Sequence, residues 1–395
     1  MRQSRRRILY LCWSWPHENS SGYRSRTLQV ARALKKVGEV HLVVAAENNG
    51  AELREKAASE FRVHDYVRMN GLARQGIWRR LSSLYDPLSM SFQGWVAEEQ
   101  DRVRVCKNMG NFDLIWIGGT CAASLFGLQR WPRSMLDIDD VPSAKELTRW
   151  RTGSLSDRSK ALVRALAFRR RERSLLEEFT ALGVCSEADR QYLGGGPGIH
   201  VIPNGFKRPA VEPHRQSTQP PRLGFIGPFG YEPNLEGIRW FIRACWPRIK
   251  RDVPDVRLRL VGKGTDGPLK PVNPDVDGLG WLPDPAEEIG TWSAMIVPIR
   301  VGGGTRLKVA EALGCRCPLV STRLGAFGYD LADGQEIFLA DTPDTFANAC
   351  VRAIREPAEA AARAGRAWNR YLENWTCEAI APRVWAAAEY CLRIQ

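Results

Sequence analysis

One stretch constrains this chain more than any other. It runs Pro298-Ile299-Arg300-Val301-Gly302-Gly303-Gly304-Thr305-Arg306-Leu307-Lys308-Val309-Ala310-Glu311-Ala312-Leu313. Ahead of it, Ser293-Ala294-Met295-Ile296-Val297 is an apolar run long enough for one buried strand. Behind the glycines comes a helical pattern, with Leu307, Ala310 and Leu313 on one face and Arg306 near its start. A strand, a glycine turn and a helix N-terminus make an anion site: the glycines let backbone approach a phosphate, and the first helical N–H groups point at it. Arg306 and Lys308 bring positive charge to the same end. Glu311 fits such a site only if it has its own task, and a carboxylate can accept two hydrogen bonds from the vicinal diol of a ribose. Together these make a nucleotide site. The competing reading is a surface helix behind a flexible loop, with Glu311 solvated.

Length and charge set the frame. At 395 residues two domains are the natural expectation, and 44% hydrophobic residues allow each a full core. The net charge of +13 favours acidic partners: nucleotides, nucleic acid or an anionic membrane face. The 10 cysteines show no metal-ligand spacing, since Cys315 and Cys317 are too close and no C-x-x-C occurs. Buried free thiols in a reducing cytosol are therefore expected. The run Ile8 to Trp13 is too short for a signal peptide core, and no run nears ~18 apolar residues. The expected location is cytoplasmic, with attachment to the inner face of the membrane as a further expectation. Basic residues around Gly76-Ile77-Trp78 suit an interface, although an amphipathic core helix explains them as well.

Taken in order, Ile8 to Trp13 reads as a first strand, followed by a turn-rich loop with Asn19, Ser20, Ser21 and Gly22. A helix then covers Thr27 to Lys36, and a strand covers Val40 to Ala45. This β-loop-α-β opening points to a parallel sheet, and its first loop opens onto a ligand crevice where Arg24 and Arg26 can meet an anion. Residues 51–110 read as mostly helical, and 112–119 as a strand ending in glycines. Ser134 to Val141 is a strand running into the acidic loop Asp137, Asp139, Asp140; a structural turn, a site for a hydroxyl proton and a metal site stay open there. Residues 145–179 form a very basic helical region that reads as a solvated face. The proline-rich stretch 209–221 is the best linker, so the expected domains are 1–208 and 209–375, with helix 376–395 packing back on the first. The second half repeats the α/β pattern. Gly262-Lys263-Gly264-Thr265-Asp266-Gly267 formally matches a dinucleotide fingerprint but is followed by Pro268 and Pro271, where a helix should be.

Several segments then line up together: Ile202-Pro203-Asn204-Gly205, Gly262-Lys263-Gly264, Gly280-Trp281-Leu282, the Gly302 to Glu311 stretch, and Pro318-Leu319-Val320-Ser321-Thr322. Their order and spacing resemble glycosyltransferase family 4, the large retaining nucleotide-sugar family, in its Gly-Gly-Gly-Thr-Arg sub-branch. The resemblance covers nearly the whole chain. It implies an α/β, GT-B fold: two Rossmann-like domains facing each other across a cleft, the first binding acceptor and the second donor. It implies donor-side residues Gly227, Asn234, Gly262, Leu282, Gly303, Gly304, Thr305 and Glu311, and an acceptor-side loop at Ser21, Gly22 and Arg24. Of two family glutamates eight positions apart, the second falls on Glu311 and the first on Gly303. The family's basic pair near the Gly227 loop is missing; Arg306 and Lys308 stand in for it, with Arg239 a weaker substitute. Where the family has a histidine, this chain has Asp139-Asp140, which with Arg306 and Lys308 complete the expected catalytic set.

The resemblance implies transfer of a sugar from a nucleotide-diphosphate donor to a glycan, lipid-linked or small acceptor, in polysaccharide or glycoconjugate synthesis. Charge building on the leaving diphosphate would be met by N–H groups, Arg306 and Lys308, so no metal and no cofactor is expected. The expected partners are the nucleotide-sugar donor, the acceptor and an anionic membrane surface. Nucleic acid is not among them, for no recognised module is present. Two alternatives remain: a non-catalytic nucleotide-sugar-binding subunit, for which Gly303 and Asp139 speak, and a sugar-nucleotide epimerase, against which stands the absence of any of the 5 histidines from these motifs.

Overall fold

The computed structural model describes residues 5–17, 22–47, 50–71, 95–125, 131–152, 155–216, 218–269 and 271–394. The chain divides into two compact units, Met1–Pro203 with Ile380–Gln395, and Asn204–Ala379. Ser21 and the Gly76-Ile77-Trp78 segment lie outside the described residues.

The first unit holds β1 (Arg7–Cys12), β2 (Glu39–Ala46), β3 (Arg62–Gly71), β4 (Trp95–Ala97), β5 (Leu114–Gly118), β6 (Trp131–Asp139), β7 (Phe179–Val184) and β8 (Ile199–Val201). They form one sheet in the order β4-β3-β2-β1-β5-β6-β7-β8, in which only the β3–β4 pair is antiparallel. Strand β1 is apolar on both faces, with Ile8, Leu9, Tyr10 and Leu11 all buried, as a central parallel strand covered by helices on both sides must be. Strand β3 corrects the helical expectation for 51–110. Its polar residues alternate with Val67 and Met69, which enter the core, and Asp65 at the start of that same face is paired with Arg104 of a neighbouring helix.

The second unit holds β9 (Arg222–Ile226), β10 (Arg257–Val261), β11 (Val276–Gly278), β12 (Ala294–Val297), β13 (Leu319–Ser321) and β14 (Phe338–Leu339), all parallel, in the order β11-β10-β9-β12-β13-β14. Strand order reverses between β9 and β12, and between β1 and β5 in the first unit. At such switch points the loops leaving the strands diverge and open a crevice. Two glycines fix the packing around β9. A Cβ on Gly224 would lie 1.9 Å from the buried ring of Trp292, and one on Gly237 would lie 2.4 Å from the Pro298 carbonyl. The second close approach brings helix Glu232–Trp240 down onto the end of β12.

The units meet in sequence at Pro203/Asn204, ahead of the composition-based boundary at 208/209. The reason is hydrogen bonding. Phe206 N–H donates to Trp375 C=O, and within the proline-rich stretch Gln216 N–H donates to Gly290 C=O, each 3.0 Å, so this segment is stitched to the second unit. Helix Cys377–Arg393 returns to the first unit. Ile380, Val384, Ala387, Ala388 and Cys391 share a core with Ile8, Tyr10 and Trp116, and Trp385 Nε1–H donates to Ala33 C=O at 2.8 Å. Full burial of a side chain such as Ile380 is worth about 1.5–3 kcal/mol.

Candidate active site

The switch point of the second unit gathers most of the donor-side residues. Gly227 leaves β9 with φ +149°, and a Cβ there would fall 2.6 Å from Asn234 Nδ2 and 2.9 Å from Lys308 Nζ. Asn234 is buried in the first turn of helix Glu232–Trp240 and donates through Nδ2 to Pro228 C=O at 2.9 Å. That bond fixes the amide so that Oδ1 accepts from Lys308 Nζ at 2.7 Å. The ammonium also stands 4.0 Å from the centroid of the Phe225 ring. Gly262 approaches from the next strand: its Cβ would lie 2.4 Å from Gly227 C=O, so only glycine lets the two loops touch.

After β12, Gly302 and Gly304 take φ +121° and +67°, and the chain enters helix Leu307–Gly314 with Arg306 as its N-cap residue. The Arg306 side chain folds back on its own loop, Nη1 donating to the carbonyls of Gly303 and Gly304. Its Nε and Nη2 are buried without a hydrogen-bond partner among the described residues. Thr305 accepts from Asn204 Nδ2 at 3.0 Å. Lys308 and Glu311 sit one turn apart on this helix. Burial pushes the Glu311 carboxyl up to about 7, against the pull of Lys308 and Lys207 and with Asp284 adding to the rise. Burial, then Arg306, holds the Lys308 ammonium well below its usual range, with Glu311 opposing. A half-buried site that disfavours both charges of an acid–base pair is one in which each charge gains from an external partner.

The first-unit residues tell a different story. Arg26 is 3% exposed and cannot meet an anion in solution. Its guanidinium grips Asp137 bidentately at 2.6 and 3.0 Å and donates to Ile202 C=O at 2.8 Å. The anion-binding expectation for Arg26 is thereby corrected: it is a structural ion pair at the carboxyl ends of the strands. Gly22 begins helix Gly22–Leu34, and Arg24 Nε donates to Ser14 Oγ at 2.7 Å. Asp139 ends β6 with φ +63°, a conformation uncommon for a residue with a side chain. The Cys185 thiol donates to Asp139 Oδ1 at 2.7 Å, and Arg26 Nε lies 3.8 Å from the same oxygen. Burial drives the Cys185 thiol well above its normal range, so it stays protonated and able to donate. Asp140 follows, half-buried.

Thus Gly227, Asn234, Gly262 and Lys308 are brought into one contact group, and Gly303, Gly304, Thr305, Arg306 and Glu311 occupy the adjoining loop and helix. Leu282 packs against the hydrophobic core of the same unit. Asp139, Asp140, Gly22 and Arg24 belong to the first unit. Arg239 is exposed while Asn234 is buried, so the helix turns it away from Lys308. The Gly262 to Gly267 segment is a turn closed by Thr265, whose hydroxyl donates to Gly262 C=O at 2.8 Å, and no helix follows it. Among the described residues no group of three or more His, Cys, Asp or Glu is placed to hold a metal ion. Lys207 and Asp284, which bear on Glu311 and stand 3.7 Å from each other, were hidden from motif reading. The adjacency of Lys207 to Asn204-Gly205 was the one available signal.

Residues 220–356 match the family model described as glycosyl transferases group 1. A protein of the Klebsiella pneumoniae cps region, described as an uncharacterized 44.6 kDa protein, is 24% identical over 195 residues. That match takes in 46% of this chain, and the chain spans about half (49%) of the length of this curated relative. Among solved structures, the Anabaena protein Alr3699/HepE in complex with UDP and glucose aligns with TM-score 0.62 at 15% identity, over 96% of this chain and 98% of that one. Sucrose-phosphate synthase from Thermosynechococcus elongatus aligns at TM-score 0.65 and 15% identity, over 97% and 98%. The pneumococcal O-GlcNAc transferase GtfA in complex with UDP and GlcNAc aligns at 0.67 and 10%, over 98% and 99%. Residues 220–356, in the second unit, thus match glycosyl transferases group 1, and the chain as a whole has the GT-B fold of two Rossmann-like units.

Proposed function

We propose that the protein transfers a sugar from a nucleotide-diphosphate donor to a hydroxyl of a glycan, lipid-linked or small acceptor, with retention at the anomeric carbon. The observation that carries this reading is the Gly227–Asn234–Lys308 group at the β9/β12 switch point, with Glu311 one helical turn beyond Lys308. Lys308, the first amides of helix Leu307–Gly314 and the unpartnered edge of Arg306 suit a leaving diphosphate. The Glu311 carboxylate suits a ribose diol. The acceptor oxygen bonds to the anomeric carbon on the face from which the diphosphate oxygen departs, and that phosphate takes the acceptor proton. Asp139 is assigned to the acceptor hydroxyl or the donor sugar, in the role the family gives to histidine. Uridine diphosphate is the first nucleotide to test, because Alr3699/HepE and GtfA were solved with UDP. A role in surface polysaccharide synthesis draws support from the cps-region relative. No metal ion is proposed, and an anionic membrane surface is the proposed second partner.

The test is thermal unfolding of the full chain with UDP, GDP, ADP and TDP, with and without Mg²⁺, repeated on Glu311→Ala. A ligand at ~100 times its dissociation constant adds about 2.7 kcal/mol. A metal-independent shift with one nucleotide, lost in the variant, is the expected result, and NMR of the product anomer then checks retention. Absence of a shift with all four in folded protein refutes the reading.

A further inference from the structure

The very basic region 145–179 does not have the uniformly solvated face that its composition suggests. Helix Leu155–Glu172 buries Ala161, Ala165 and Phe168 against the first unit. On its outer side Leu162, Val163 and Leu166 are 38%, 61% and 64% exposed. Large apolar side chains this open, on adjacent turns, are unusual on a helix this charged. The cations around them fall into two sets. Arg164 reaches Glu146, Arg169 donates to Tyr192 C=O, and Arg171 pairs with Glu178. Lys160, Arg170 and Arg173 are exposed and have no ion-pair partner among the described residues.

Position turns this into a surface. Lys160, Val163, Leu166 and Arg170 follow at steps of three and four residues, so they lie on the side of the helix opposite the buried Ala161, Ala165 and Phe168, and the exposed Arg173 follows in the turn just past its end, extending this ridge. The ridge is apolar in the middle and cationic at both ends, about 20 Å long at 1.5 Å per residue. An exposed face of this kind fits a planar partner with anionic groups above hydrocarbon, where Lys and Arg stems extend to the headgroups and the central residues enter the acyl boundary. An acidic protein groove would have to supply carboxylates at both ends and a dry strip between them. The net charge of +13 favours an anionic bilayer at long range.

We infer that the ridge Lys160–Val163–Leu166–Arg170–Arg173 docks the protein on an anionic lipid surface. The helix is tied to the acceptor side of its unit: Glu172, at its C-terminal end, accepts the Ser143 N–H at 2.8 Å, and Ser143 lies in the first turn of helix Pro142–Thr152, which follows Asp139-Asp140. Delivery of a lipid-linked acceptor to that loop rests on the transferase reading, whereas the docking itself does not.

The experiment is co-sedimentation of the full chain with vesicles of phosphatidylglycerol in phosphatidylcholine, against pure phosphatidylcholine, at low and high salt. Two variants are compared: Lys160→Gln/Arg170→Gln/Arg173→Gln and Val163→Ser/Leu166→Ser. All five positions are exposed on one face and outside the donor site, so the UDP-induced thermal shift should be unchanged in both. Each cation is worth about fivefold near an anionic surface, so the triple variant should lose about a hundredfold in partitioning and its salt dependence with it. The apolar pair should lose about tenfold at every salt concentration. Equal binding to pure phosphatidylcholine, or anionic binding that neither variant weakens, overturns the inference. So does a dimer in solution that Val163→Ser/Leu166→Ser dissociates, since the ridge would then serve a second copy. Failure here with the UDP shift intact leaves the transferase reading standing. Loss of the UDP shift with lipid binding intact condemns only that reading.

Discussion

Replacing Glu311 with Gln should stabilise the empty protein while weakening it as a nucleotide binder. In the folded chain burial holds the Glu311 carboxyl at about 7; in an unfolded chain a glutamate titrates near 4.3. Between these values the folded state binds more protons than the unfolded one, so stability is lost as pH rises through the interval. At 1.36 kcal/mol per pH unit, the full penalty above pH 7 is about 3–4 kcal/mol, with the attraction of Lys308 and Lys207 already included in the position of the folded titration. Gln keeps the shape and removes the proton. Urea unfolding of wild type and Glu311→Gln at pH 5, 6, 7 and 8, read on the transition of the second unit, measures the difference. The variant should match wild type near pH 5 and exceed it increasingly towards pH 8, while its UDP-induced shift shrinks at every pH. A variant less stable than wild type at pH 8, or parallel to it across the range, would refute the reasoning. The lysines would then outweigh desolvation, and the carboxylate would be a structural partner rather than a group awaiting a ligand.

Lys308→Ala should lower kcat/KM by at least about 100-fold, the scale of one charged group at a developing charge, as read in a steady-state assay of sugar transfer. Gly227→Ala places a methyl against Asn234 and Lys308, so it should abolish the UDP shift while costing the empty fold only about 1–3 kcal/mol. Arg26→Met leaves the buried Asp137 carboxylate uncompensated and should destabilise the first unit by about 3–5 kcal/mol, most of it recovered in Arg26→Met/Asp137→Leu; denaturant melts of the three proteins decide. Asp139→Asn, which tolerates the same left-handed backbone, should cut turnover at least about tenfold with an unchanged UDP shift, and unchanged turnover would remove Asp139 from the mechanism.

The parts legible in the sequence were those whose chemistry is local. The strand, glycine turn and helix at 294–314 are written in consecutive residues, and the three-residue step from Lys308 to Glu311 fixes their relation on any helix. What escaped depended on distant partners. Arg26 looks like an anion ligand until Asp137, 111 residues away, is folded beside it. Asp139 in its run of carboxylates leaves a turn, a hydroxyl site and a metal site all open, and the thiol 46 residues on that donates to it is invisible in the sequence. The domain boundary was hidden because prolines mark a lack of regular structure, and residues 209–216 lack it while still being hydrogen-bonded to the second unit. Strand β3 was missed because its Asp65 is satisfied by Arg104, and the Arg68 N–H by Asp101, both from a neighbouring helix, which no alternation count reveals.

The return of helix Cys377–Arg393 to the first unit has a consequence for biosynthesis. Residues 380–391 leave the ribosome only after all of 204–379 has been made, so the first unit must wait with Ile8, Tyr10 and Trp116 incompletely covered while the second unit, contiguous in sequence, can close as it emerges. Translation order and folding order are therefore reversed. The nascent first unit is the stage at which a chaperone would find exposed apolar surface, and a stall or nick just before Ile380 would yield a closed second unit attached to an unfinished partner.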